Sequence, residues 1–194
     1  MTKIILVGGC DYKAPDGGKA FCEALTDGFE EPVKILDCLF ARPKEKWDEV
    51  YQKDKKFFAM QLPGKTIELE LAQPEKFIQQ MRWSNAIYIR GGSNDLLLDI
   101  LHTCGDWLAE LDGKTLAGSS AGACIIVKYY YELDSLKLGE GLGLLPMKII
   151  VHWKSDYNAP NINWISARAK LKKYKEDLPL LALGEGKFVT IERP

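Results

Sequence analysis

The sequence is short of net charge, of histidine and of long apolar runs, and each shortage closes off a class of function. Its 26 basic and 27 acidic residues leave a formal net charge of −1. They are interspersed along the chain, so no strong field favours nucleic acid or an anionic membrane. The apolar start Ile4-Ile5-Leu6-Val7 is halted by Gly8-Gly9. It is too short for a signal-peptide core or a membrane span of about 20 residues, so the expected location is the cytoplasm. Cysteines stand at 10, 22, 38, 104 and 124, an odd number with no C-x-x-C spacing. That argues against a disulfide framework or a zinc knuckle and for buried reduced thiols, and no metal is expected. No G-x-G-x-x-G can be written across Gly8-Gly9-Cys10 and Gly17-Gly18, so no dinucleotide or other cofactor is expected either. Repeats, low-complexity segments and linkers are missing, which predicts one domain over residues 1–194.

What is present is an alternation of short β-branched runs with amphipathic stretches. Residues 3–7 and 86–89 read as strands buried on both faces, each closed by a glycine pair (Gly8-Gly9, Gly91-Gly92). Further strands are predicted at 33–36, 66–71, 115–118 and 148–152, with a terminal pair at 180–183 and 187–191. Helices are predicted at 17–28, 43–58, 74–81, within 96–111, from 121 to about 130, and near 162–174. The class this predicts is α/β, a three-layer α/β/α sandwich on a mostly parallel sheet.

Chemistry concentrates in Gly118-Ser119-Ser120-Ala121-Gly122, which fits G-x-S-x-G between a predicted strand and a predicted helix. Such a tight turn strains the serine backbone and projects Ser120 above the sheet edge. The helix N-terminus and the Ala121 amide would face a developing oxyanion there. The alternative is a plain glycine-rich turn whose serines cap a helix. A serine nucleophile needs a base, and only His102 and His152 exist. His102 lies inside a helical stretch. His152 ends an apolar strand, where open α/β sheets carry their sites, and is the preferred base. A carboxylate should orient the imidazole. Glu185, between Gly184 and Gly186, is preferred over Asp134, Glu140 and Asp156. Cys124 lies four residues beyond Ser120, one helical turn along, and reads as core.

Taken together, Gly91-Gly92-Ser93-Asn94, Gly118-Ser119-Ser120-Ala121-Gly122-Ala123, His152 and Glu185 resemble the peptidase E (aspartyl dipeptidase) family, which includes cyanophycinase-like members. The resemblance implies a glutamine-amidotransferase-like (flavodoxin-like) fold, nucleophile Ser120, base His152 and acid Glu185. It also implies an oxyanion hole from the amides of Gly92 and Ala121. The implied reaction is serine-type hydrolysis of small peptides, dipeptides with an N-terminal aspartate among them. Lys154 or Arg168 would then meet a substrate carboxylate, Asp134 the substrate amine, and Asn94 would join the binding residues. Ser119 departs from the family, which often has a larger side chain before the nucleophile, and this bears on specificity. An esterase using the same triad, or a family member that binds a ligand without chemistry, shares these features. The expected partner is a small peptide, with no nucleic acid and no membrane, and a homo-oligomer is compatible with the sequence.

Overall fold

The computed structural model describes residues 1–193. In chain order its strands and helices are β1 (Thr2–Val7), α1 (Lys19–Thr26), β2 (Val33–Cys38), α2 (Trp47–Gln61), β3 (Ile67–Leu71), α3 (Phe77–Trp83), β4 (Ala86–Ile89), α4 (Asn94–Thr103), β5 (Thr115–Ser119), α5 (Ala121–Ile126), β6 (Val127–Glu132), β7 (Lys137–Glu140), β8 (Leu145–Ile150), α6 (Trp164–Lys173), β9 (Leu180–Ala182) and β10 (Phe188–Arg193). A six-stranded sheet in the order β10-β1-β5-β4-β2-β3 is parallel except for the edge strand β10. Helices cover both of its faces. The period-two alternation along β1 sends Ile5 and Val7 towards Phe21, Leu25 and Phe58 of α1 and α2. Ile4 and Leu6 face the opposite way, into a larger cluster with Phe77, Leu101 and Ala123 of α3, α4 and α5.

A second sheet, β7-β6-β8-β9, lies beyond α5 and shares the larger core. Here the structure departs from the sequence reading. The helix predicted to run to about residue 130 stops at Ile126, and the chain turns directly into β6. The cause is distant in sequence. Leu142 N–H donates to the Ile125 carbonyl at 2.7 Å and Gly143 N–H to the Val127 carbonyl at 3.2 Å, so the glycine-rich loop takes acceptors that a longer helix would have used. Val127, Tyr129, Tyr130 and Tyr131 then sit where branched and aromatic side chains are favoured. Sheet packing also splits the predicted terminal pair. β9 pairs parallel with β8, while β10 pairs antiparallel with β1, so residues 183–187 cross from one sheet to the other.

Two helix termini show how side chains lock this frame. Ser93 Oγ accepts from Leu96 N–H at 3.2 Å and caps α4, directly after Gly91-Gly92. Fully buried Lys148 of β8 donates to the carbonyls of Lys172 and Tyr174 at 2.9 and 2.8 Å. A cation thus closes the C-terminal end of α6 and ties that helix to the second sheet.

Candidate active site

The turn after β5 holds Ser120 at φ 53°, ψ −112°, a conformation costly for any residue with a side chain, of order 1–3 kcal/mol. Close packing over-determines it. A Cβ at Gly122 would lie 2.2 Å from the Ile89 carbonyl oxygen, and one at Gly118 2.4 Å from the Gly122 carbonyl. Only glycines let β4, β5 and α5 meet here.

His152 follows β8, also with a left-handed backbone (φ 50°) and only 4% exposed. Its ring stacks on Tyr157 with centroids 4.4 Å apart and planes 14° from parallel. The backbone of Gly9 (φ 116°) lies so close that a Cβ there would be 2.2 Å from Cε1. The imidazole has little freedom between these neighbours. Its Nε2 stands 2.9 Å from Ser120 Oγ and its Nδ1 3.1 Å from Glu185 Oε1. The carboxylate can only accept, so Nδ1 carries the proton and Nε2 is left to receive one from the hydroxyl. Burial holds the His152 pKa below the ordinary imidazole value, against the opposing hydrogen bond and charge of Glu185.

Glu185 sits on the segment that crosses between the sheets, and Lys13 donates to its second oxygen, Oε2. Burial acts to raise its carboxyl, but the hydrogen bonds from Lys13 and His152 outweigh burial and hold it below the usual carboxylate range. The other acids considered are engaged elsewhere. Asp134 accepts from the Tyr157 hydroxyl at 2.9 Å, Glu140 pairs with Lys175, and Asp156 lies 4.0 Å from Lys13. His102 is exposed on α4, and Cys124 is buried in α5, where desolvation pushes its thiol pKa well up.

The three segments share one support. Val7 O accepts from Ser120 N–H at 3.1 Å, Gly8 O from His152 N–H at 2.7 Å, and Gly9 O from Gly186 N–H at 2.8 Å. Three successive carbonyls at the end of β1 therefore set the spacing of serine, histidine and glutamate.

Two clefts open on Ser120 and share Gly92, Ser120, His152 and Tyr157. The smaller also contains Ala121, Asn94, Glu132 and Asp134. Asn94 there donates to Glu132 Oε1 at 2.9 Å. The larger, about 350 Å³, is lined by Cys10, Asp11, Arg42 and Arg90. Arg90 is tied to Asp11 at 3.2 Å, to the Tyr88 hydroxyl at 2.8 Å and to Asp54 at 3.3 Å. Lys154 and Arg168 line neither cleft. Lys154 lies over the Trp153 ring at 5.7 Å, and Arg168 borders a separate depression with Lys172 and Asp177. Gly9, Lys13, Tyr157, Arg42 and Arg90 were not singled out for this site from the sequence. Of these, only Gly9 carried a signal there, as part of a glycine pair closing a buried strand.

The family model described as Peptidase family S51 matches residues 5–193. Among solved structures, a peptidase E candidate from Listeria monocytogenes EGD-e superposes with a TM-score of 0.71 at 16% identity, covering 98% of this chain and 94% of that one. A peptidase from an acI-B1 Actinobacterium gives a TM-score of 0.62 at 19% identity, covering 98% and 83%. These two likenesses concern the fold. No curated protein matches at a significant level.

Proposed function

The chain belongs to peptidase family S51, and from that premise we propose that it is a serine peptidase of small peptides, dipeptides with an N-terminal aspartate among them, acting through an acyl-enzyme on Ser120. The observation that carries this reading is the relay in which His152 stands 2.9 Å from Ser120 Oγ and 3.1 Å from Glu185. Ser120 Oγ attacks the scissile carbonyl as its proton passes to Nε2. Glu185, kept ionised by Lys13, stabilises the imidazolium and holds the ring's orientation. The amides of Gly92 and Ala121 receive the oxyanion; Ala121 supplies the first amide of α5, which has no acceptor within its own helix. His152 then returns the proton to the leaving amine, and water, activated by the same base, releases the acyl group.

The charges on the two sides of Ser120 support a short peptide carrying both an amine and a carboxylate. Asp134, with Glu132 and Asn94, lines the side that would receive the amine. Arg42 and Arg90 line the other, where a carboxylate would be met. Replacing Ser120 by alanine should lower kcat/KM by about 10⁴-fold or more with an unchanged thermal melt. A panel of aspartyl and non-aspartyl dipeptides alongside simple esters reads the leaving group and the side chain. Undiminished hydrolysis by Ser120→Ala would overturn the assignment, and turnover of esters alone would remove the peptidase reading.

A further inference from the structure

Cys10 is the one cysteine of the five that is not buried. It follows Gly9 in a left-handed backbone conformation (φ 46°, ψ 57°) and lines the larger cleft beside Ser120 and His152. Its Sγ, a ring nitrogen of His152 and a carboxylate oxygen of Glu185 all lie within 4.8 Å of one another. A thiol, an imidazole and a carboxylate form a donor set suited to zinc, with water as fourth ligand. Bonds of about 2.0–2.3 Å in a tetrahedron put ligand atoms roughly 3.5 Å apart, so side-chain rotations of about 1 Å would close the set. Access is from the cleft, and the reactions of Ser120 do not require the thiol.

We propose that Cys10, His152 and Glu185 form an inhibitory site for a thiophilic divalent cation of the zinc type. The ion takes Cys10 Sγ as thiolate, Glu185 Oε1 and the lone pair of His152 Nδ1, the nitrogen that faces Glu185. The thiol proton leaves to solvent. The proton on Nδ1 moves to Nε2, so the imidazole stays neutral but now donates towards Ser120 Oγ instead of accepting from it. No base remains for the nucleophile, although the 2.9 Å contact persists. Thiolate and carboxylate neutralise the ion's two charges. Lys13 keeps its hydrogen bond to the other carboxylate oxygen, and its partly exposed side chain can follow a small shift of Glu185. A hard cation such as magnesium, which prefers oxygen ligands, gains nothing here. Only the inhibition rests on the catalytic reading; the binding does not.

The test therefore begins with binding, in the Ser120→Ala protein, where turnover plays no part. Cobalt(II) should produce a thiolate-to-metal charge-transfer band at one equivalent, and zinc should abolish it by displacement. Titration calorimetry with zinc should give one site, weakened about tenfold or more in a Cys10→Ser, Ser120→Ala double variant. In the otherwise native protein, zinc should inhibit peptide hydrolysis, and Cys10→Ser should shift the inhibition to higher zinc by a similar factor, each variant normalised to its own metal-free rate. Magnesium should leave the rate unchanged. Lack of the cobalt band, or equal zinc affinity with and without Cys10, would overturn the proposal. If the band appears but the native protein hydrolyses no peptide, the metal site stands and the peptidase reading falls.

Discussion

Replacing Gly9 by alanine should disable the site while sparing the fold, and the size of the effect follows from geometry. The added Cβ would lie 2.2 Å from His152 Cε1 and 2.7 Å from both ring nitrogens, against the 3.4 Å at which ordinary contact begins. The shortfall of about 1.2 Å must be absorbed by the ring, because the Gly9 carbonyl is held by Gly186 and the preceding carbonyl by the His152 amide itself. A displacement of that size spoils the alignment with Ser120 and Glu185. Misplacement of about 1 Å costs around 10²-fold, and complete loss of the base costs about 10⁴-fold. The expected fall in kcat/KM is therefore about 10²–10⁴-fold, or roughly 3–5 kcal/mol of transition-state stabilisation. Alanine at φ 116° is also strained by roughly 1–3 kcal/mol, which at this chain length lowers Tm by about 2–4 °C per kcal/mol. Gly28→Ala separates the two effects. That glycine also has a left-handed backbone (φ 87°) but, among the described residues, no atom within 4 Å of the added Cβ, so it should lose stability and keep activity. Steady-state peptide hydrolysis, the rate of Ser120 labelling by a fluorophosphonate and a thermal melt together decide the matter. A folded Gly9→Ala protein with a rate within about threefold of Gly28→Ala would refute the reasoning.

Three other outcomes are expected. Because burial holds His152 below the ordinary imidazole value of 6.5, the base stays neutral in mildly acid solution; the acid limb of kcat/KM should lie below pH 6.5, and a limb centred at or above it would contradict the geometry. Tyr157→Phe keeps the ring against His152 but loses the hydroxyl's bond to Asp134, so kcat/KM should fall a few-fold, whereas Tyr157→Ala should cost about 10–100-fold; equal rates in the two variants would show that the stack does not hold the imidazole. Burial, reinforced by neighbouring Asp54, raises the Asp37 carboxyl well above its usual range, and among the described residues neither of its buried oxygens has a hydrogen-bond partner. The folded state then retains a proton that the unfolded chain gives up above about pH 4, so stability falls as pH rises. Asp37→Asn, which has no proton to lose, should flatten this fall, so that its stability relative to the parent rises from acid to neutral pH, as urea melts at two pH values would reveal.

The elbow was legible because its cause is local: a buried strand, two glycines and an apolar helix lie within a dozen residues around Ser120. His152 followed from scarcity and from its place at a strand end. The second sheet was less accessible. Val127 to Tyr131 continues the apolar run of α5 without a glycine or proline, and the hydrogen bonds that end the helix come from Leu142 and Gly143, beyond a hairpin. The branched and aromatic run at Val127, Tyr129, Tyr130 and Tyr131 was the available hint, outweighed by an expectation of helix continuity. The glycines flanking Glu185 mark a turn, but the two strands of the expected terminal pair, β9 and β10, choose partners in different sheets, a tertiary preference with no local mark. The residues around the imidazole, Gly9, Lys13 and Tyr157, are adjacent only in space. Nothing in the spacing of Arg42 and Arg90 distinguishes them from the other cations of the chain.

The three carbonyls of Val7, Gly8 and Gly9 lie at the end of the first strand made and just beyond it, while the amides they receive lie 113, 144 and 177 residues further along. A growing chain thus carries the gauge of its site from the start and cannot use it until nearly the last strand has formed. Contacts so distant in sequence are among the slowest to close in folding. A nascent or truncated chain ending before residue 185 would hold serine and histidine but neither the carboxylate nor the clasp on Gly9. With the proposed triad, activity in this molecule would be a property of completion, arriving after the chain has committed its own backbone to the fold.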